Sequence, residues 1–158
     1  MYSTYQSSGP FSSLCVRLYC LMMLVWISNI AQAEQKEDFG AYEVHYSAFN
    51  STFLSPEVAK QYDIVRSKAI GVINISVLKK VPGKLAEPVA AQIEGIVSND
   101  IQQQVQLPFH RVTEGRAIYY IAEFQFAESE LLTFNVTSHV NGESQPMKIR
   151  FVQNFYNN

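Results

Sequence analysis

Residues 131–155 read LLTFNVTSHVNGESQPMKIRFVQNF. Leu132, Phe134 and Val136 alternate with Thr133, Asn135 and Thr137, and Met147, Ile149 and Phe151 alternate with Lys148 and Arg150. A period of two marks strands with one buried face and one wet face. Between them, Asn141-Gly142 is a strong hairpin signal, because both residues tolerate the positive φ of a type I′ turn. A two-residue turn there pairs Val140 with Glu143. Stepping outward, it pairs Val136 with Met147, Phe134 with Ile149 and Leu132 with Phe151. On the wet face Thr133 meets Arg150, Asn135 meets Lys148 and His139 meets Ser144. A slip of one residue would set every apolar side chain against a polar one.

The pattern extends upstream. Residues 117–126 alternate as well, and Glu128-Ser129-Glu130 can return that strand to lie beside the hairpin. Matching the apolar faces puts Phe124 beside Phe134 and Ala122 beside Val136. It also puts Glu123 beside Asn135 and Tyr119 beside His139 on the outer face. Further strands are expected over 41–50, 69–78, 89–97 and, more weakly, 101–107. Ser55-Pro56-Glu57 reads as a helix start: a capping hydroxyl, a proline at the first position and an acid facing the dipole. About seven short strands divided by turn signals predict an all-β fold. The expected form is an immunoglobulin-like antiparallel β-sandwich with one short helix after the first strand.

The N-terminal stretch is of another kind. Residues 18–27, LYCLMMLVWI, follow Arg17 and precede Ala31-Gln32-Ala33. A positive flank, an apolar run of about ten residues and a small-x-small site are the parts of a secretory signal. Cleavage is expected between Ala33 and Glu34, leaving one domain from Glu34 to the end, in the periplasm. The run is too short for a spanning helix, so no stable membrane anchor is expected after cleavage. Both cysteines, Cys15 and Cys20, lie in this segment. The domain after it therefore has neither a disulfide nor a cysteine metal ligand. The whole chain carries a net charge of −2, and its one cation in the signal is Arg17. A mildly acidic domain lacks the clustered cations that nucleic acid requires, so none is expected as a partner.

From Val44 the chain reads VHYSAFNSTFLSPEVAKQYDIVRSKAIGVINISVLKK, and further on GRAIYYIAEFQF. These strings resemble a family of exported bacterial proteins known as domain of unknown function 4426. The resemblance covers nearly all of the chain after the signal. It implies export and a β-sandwich, and it brings no activity with it.

The residues that could carry chemistry are scattered. His45, His110 and His139 show no ligand spacing, so neither a metal nor a cofactor is expected. There is no Gly-x-Ser-x-Gly elbow and no Gly-rich phosphate loop. Arg66 could clamp a ligand carboxylate, or it could cap a carbonyl near the helix end. Phe49 and Phe53 could pack under the helix or stand out as an anchor for a partner. The outer-face rows Glu123–Asn135–Lys148 and Tyr119–His139–Ser144 could dock a partner. The reading that follows is a non-enzymatic binding or accessory module that contacts an envelope protein. A small-ligand domain, for a sugar or peptide, is the alternative. A hydrolase is third.

Overall fold

A computed structural model of the protein describes residues 35–157. The described residues all fall within one compact unit, Glu34–Asn158. The expected signal and its cleavage point lie outside the described residues.

The chain runs β1 (Gln35–Phe39), β2 (Tyr42–Asn50), a 3-10 turn (Ser51–Phe53), α1 (Pro56–Gln61), β3 (Ile70–Lys79), β4 (Glu87–Pro88) and β5 (Ala91–Ser98). It continues through β6 (Gln104–Gln106), β7 (His110–Glu114), β8 (Ala117–Gln125), β9 (Glu130–Val140) and β10 (Met147–Phe155). Two antiparallel sheets form a β-sandwich. Sheet A has the order β1-β2-β3-β8-β7 with β4 also on β3, and sheet B has the order β10-β9-β5-β6.

Between the sheets lies one core. Val44, Ile73, Ile75, Val77 and Ala122 of sheet A face Phe134, Val136 and Ile149 of sheet B. Aromatic rings run through it: Tyr46 stacks on Phe151 at 4.7 Å, Phe151 on Phe134 at 4.7 Å, and Phe134 meets Phe124 edge-on at 5.0 Å. Offset and edge-on pairs of this kind add to the area they bury. A Cβ on Gly71 would lie 2.2 Å from the tip of the Phe124 ring, so only glycine leaves room for that ring.

The alternation in β9 and β10 reports the faces correctly. Phe134, Val136, Ile149 and Phe151 are buried, and Lys148 and Arg150 are exposed. The register differs by two residues from the expected one. Phe151 lies opposite Phe134, Ile149 opposite Val136, Arg150 opposite Asn135 and Lys148 opposite Thr137. The turn explains this. The Glu143 amide donates to the Val140 carbonyl at 3.1 Å, but of Asn141 and Gly142 only the glycine has positive φ, at 90°. That is a type II pattern, which splays strands instead of continuing their twist. Pairing resumes only at Met147, after Pro146, which has no amide hydrogen to offer. The open loop is held from outside, as the Tyr42 hydroxyl donates to Glu143 at 2.8 Å.

The second correction concerns β8. It pairs with β3 and β7 in sheet A, whereas β9 pairs with β5 and β10 in sheet B. Phe124 and Phe134 do meet, but across the core and not side by side. Both are inward residues, and alternation cannot tell two inward residues of one sheet from two that face each other. The rows Glu123–Asn135–Lys148 and Tyr119–His139–Ser144 therefore do not form.

Three strands lie outside the expected set: β1, β4 and β7. β1 and β7 are edge strands of mostly exposed polar residues, so they lack an apolar rhythm. Each enters its neighbour through a two-residue turn that opens with glycine, Gly40-Ala41 and Gly115-Arg116, with φ of 63° and 58°. Gly-first turns with positive φ at the glycine are the II′ pattern that suits hairpins.

Candidate functional site

The outer face of sheet A is where polar and apolar groups converge. Phe49 of β2, Val72 of β3 and Ile121 of β8 point outward and would be wet in a bare sheet. They are covered by α1 and its flanks, which form a second apolar cluster with Ala59 and Ile64. The helix is short but closed at both ends. The Ser55 hydroxyl accepts from the Val58 amide at 3.3 Å, and Pro56 takes the first position. The Glu57 carboxyl is held below its usual pKa by its own amide, then by Ser55. At the other end Asp63 has a φ of 55°, and the Ile64 amide returns to the Ala59 carbonyl at 2.8 Å. This six-to-one bond is the Schellman closure, and Ile64 is the apolar residue that accompanies it.

Between α1 and the sheet remains a cleft of about 180 Å³. Val58 of the helix and Tyr62 at its C-cap form one wall, with Asn74, Val112, Tyr119 and Ile121 opposite and the exposed Glu114 at the lip. Gln61 bridges over it, donating to the Tyr62 hydroxyl at 3.1 Å and to Glu114 at 3.5 Å. Asn74 is the exception among these groups. Its Oδ1 is buried and has no hydrogen-bond partner. A buried unpaired acceptor costs about 1–3 kcal/mol.

Beside the cleft, two segments are lashed into a platform. Asn50 Nδ2 donates to the Lys68 carbonyl at 2.9 Å. The fully buried Ser51 hydroxyl donates to the Ser67 carbonyl at 3.1 Å and accepts from the Ser67 amide at 2.9 Å. Arg66 donates to the Thr52 carbonyl at 3.2 Å, so it caps a carbonyl and does not stand ready as a clamp. On this platform Phe53 is 81% exposed and Val65 58%. Phe49 packs beneath α1, so the two phenylalanines divide between core and surface.

Lower on the same face, Glu43 of β2 is buried although charged, at 9% exposure. It accepts from His45 at 2.8 Å and from Lys36 at 2.9 Å. The His45 bond, then Lys36, hold its carboxyl below the usual range. Ser76 lies opposite His45 on β3, but its hydroxyl is committed to the Ile118 carbonyl at 2.9 Å.

Of the residues singled out in the sequence, Tyr119, Glu123 and Arg66 come to this face. Tyr119 lines the cleft, and Glu123 accepts from the Val65 amide at 2.9 Å, steadying the platform. His139, Asn135 and Lys148 lie on the outer face of sheet B, on the far side of the core, among Thr137, Thr133 and Arg150. Asn74 and Glu43 were not anticipated. The available signal was a polar residue at an outward position inside an apolar strand. Among the described residues no group of three or more His, Cys, Asp or Glu could hold a metal. A second groove of about 920 Å³, lined by Lys84, Leu85, Glu87, Pro88 and Arg116 among others, holds no buried unpaired polar side chain among the described residues. Among the described residues no helix is long and apolar enough to cross a membrane.

The model of the domain of unknown function DUF4426 matches residues 36–158. The chain belongs to the DUF4426 family. A DUF4426 family protein from Pseudomonas aeruginosa PAO1 is 38% identical, with a TM-score of 0.68 over 80% of this chain and 97% of that one. Two structures of FetP from uropathogenic Escherichia coli strain F11 share the fold at a TM-score of 0.55 and 11% identity. One was expressed in the periplasm and covers 94% of that protein; the other is a copper-bound variant covering 95%. Each spans 78% of the present chain. Among curated proteins none matches it.

Proposed function

We propose that this DUF4426 protein is a non-enzymatic periplasmic binding module that contacts an envelope protein through the α1 side of sheet A. The observation that carries the reading is Phe53, 81% exposed on a turn held by hydrogen bonds on both sides. An apolar ring presented by a rigid platform loses little entropy on docking, which is how interface anchors act. Val65 and Val58 extend the exposed apolar surface around it. The periplasmic placement rests on the signal-like segment before Glu34, and FetP, which shares the fold, has been recombinantly expressed there.

On the α1 face, size favours a polypeptide over a free sugar or peptide ligand. Small-ligand pockets hold about 300–1,000 Å³, and the cleft beside Phe53 has 180 Å³. A cavity of about 150 Å³ takes one benzene ring, so the cleft is sized for one side chain of a larger partner. The test is a photoreactive phenylalanine analogue in place of Phe53, with Val152 on the far face as control. Crosslinking in the periplasm is expected to capture a polypeptide from position 53 and to weaken with Val65→Ser. Equal capture from both positions, or none, overturns the reading.

A further inference from the structure

We infer that the side chain entering the cleft is an aromatic ring bearing a hydrogen-bond donor, a tyrosine or tryptophan of the partner polypeptide. The inference rests on the reading of the α1 face as the contact surface and names what that surface recognises.

Three features of the cleft converge on this chemistry. Its volume of about 180 Å³ suits one ring and excludes a folded segment. Its walls are apolar and aromatic: Val58, Tyr62, Val112, Tyr119 and Ile121. Such walls favour a ring over a charged head, because an ammonium or carboxylate would have to shed its water there. Glu114 at the lip adds repulsion against an acidic side chain. The third feature is Asn74, whose Oδ1 is buried without a partner. The terminal torsion of asparagine is broad, so the amide can swing its oxygen toward the cleft. A phenol O–H or indole N–H would then supply the missing donor. Phenylalanine and leucine would fill the space and leave the acceptor unpaired. A site built to bond a donor discriminates against the analogue lacking it, because the buried polar group stays unsatisfied.

The experiment is a nuclear magnetic resonance titration of the purified protein with blocked amino-acid amides. The probes are N-acetyl-tyrosinamide, N-acetyl-tryptophanamide, N-acetyl-phenylalaninamide, N-acetyl-leucinamide and N-acetyl-lysinamide. Amide shifts are expected at Val58, Tyr62, Asn74 and Ile121, with the tyrosine and tryptophan probes binding about five-fold more tightly than phenylalanine, the size of one net hydrogen bond. In Asn74→Leu that preference should fall to within about two-fold while phenylalanine binding persists, which separates lost recognition from lost folding. Val112→Trp, on an edge strand, should fill the cleft and abolish the shifts. Equal binding of the tyrosine and phenylalanine probes to the natural protein overturns the inference, as does preferential binding of the lysine probe. If no probe binds while crosslinking from position 53 persists, the inference falls and the contact face stands. If both fail, both fall.

Discussion

The two outer faces of the sandwich are built by the same alternation and end differently. On sheet B the outward residues of β9 and β10 are mostly polar, Thr133, Asn135, Thr137, His139, Lys148 and Arg150 with Leu131 and Val152 exposed beside them, and among the described residues no helix covers them. On sheet A the outward residues include Phe49, Val72 and Ile121, and α1 lies over them. Apolar groups on the side of a sheet that should be wet require a third layer. That layer is too short to seal the face, so it leaves a cleft and a protruding ring. On sheet B only Leu131 and Val152 of β9 and β10 turn an apolar side chain outward, and both stay exposed. The proposed contact surface arises here because the coverage is incomplete.

The comparison can be broken most sharply by placing a charge on each face. Val72→Asp puts a carboxylate where 1% of the side chain is exposed. An unpaired buried charge of this kind costs several kcal/mol, on the order of the whole stability of a small domain. Asn135→Asp on the sheet B face, opposite Arg150 and Ile96, should stay within about 0.5 kcal/mol of the natural protein. Urea melts of both variants measure the difference, and equal losses would mean that α1 covers nothing of consequence.

A smaller effect tests the platform. Ser51→Ala removes a hydroxyl that bonds both the amide and the carbonyl of Ser67 inside the fold. The expected loss is about 1–3 kcal/mol by denaturant unfolding. Hydrogen exchange should also quicken at Ser67 and not in β9. Unchanged exchange there would deny that the Phe53 turn is rigid.

Acid should act on the sheet A face through Glu43. Its pKa is lowered in the folded state by His45 and then Lys36, so its ionised form favours folding. That contribution is present above the ordinary glutamate value of about 4.3 and is lost as the pH falls through the lower folded value. Glu43→Gln should therefore be less stable than the natural protein at pH 7, with the gap closing below about pH 4. A gap that stays constant from pH 7 to pH 3 would assign the loss to packing.

The smallest expected effect has the opposite sign. Ser138 sits in the shared core with a buried hydroxyl that has no partner. Ser138→Ala should leave stability unchanged or raise it by up to about 1 kcal/mol, because it removes an unsatisfied group and little volume. A loss above that would show that the hydroxyl is bonded after all.

The candidate site was partly legible. Ser55, Pro56 and Glu57 announce α1, and each performs the capping role its type suggests. Tyr119 was identified as an outward residue on the strand that lines the cleft. Its expected neighbour His139 was misplaced, because pairing β8 with β9 satisfies the alternation as well as facing them does. Asn74 was passed over, since one polar residue among Ile73, Ile75 and Val77 looks like ordinary alternation. That its oxygen lacks a partner depends on side chains from β7, β8 and α1 closing over it.

By itself the sequence determined seven of the described strands, the inward face of the longer ones and the start of the helix. These follow from the direction of Cβ along a strand and from capping, which act over a few residues. Tertiary structure decided which strands share a sheet, the register of β9 and β10, and the cleft. Those outcomes depend on residues far apart in the chain: Gly71 leaving room for Phe124, Tyr42 holding Glu143, and α1 settling on Val72 and Ile121. Local alternation is compatible with more than one such arrangement, and only the packed core selects among them.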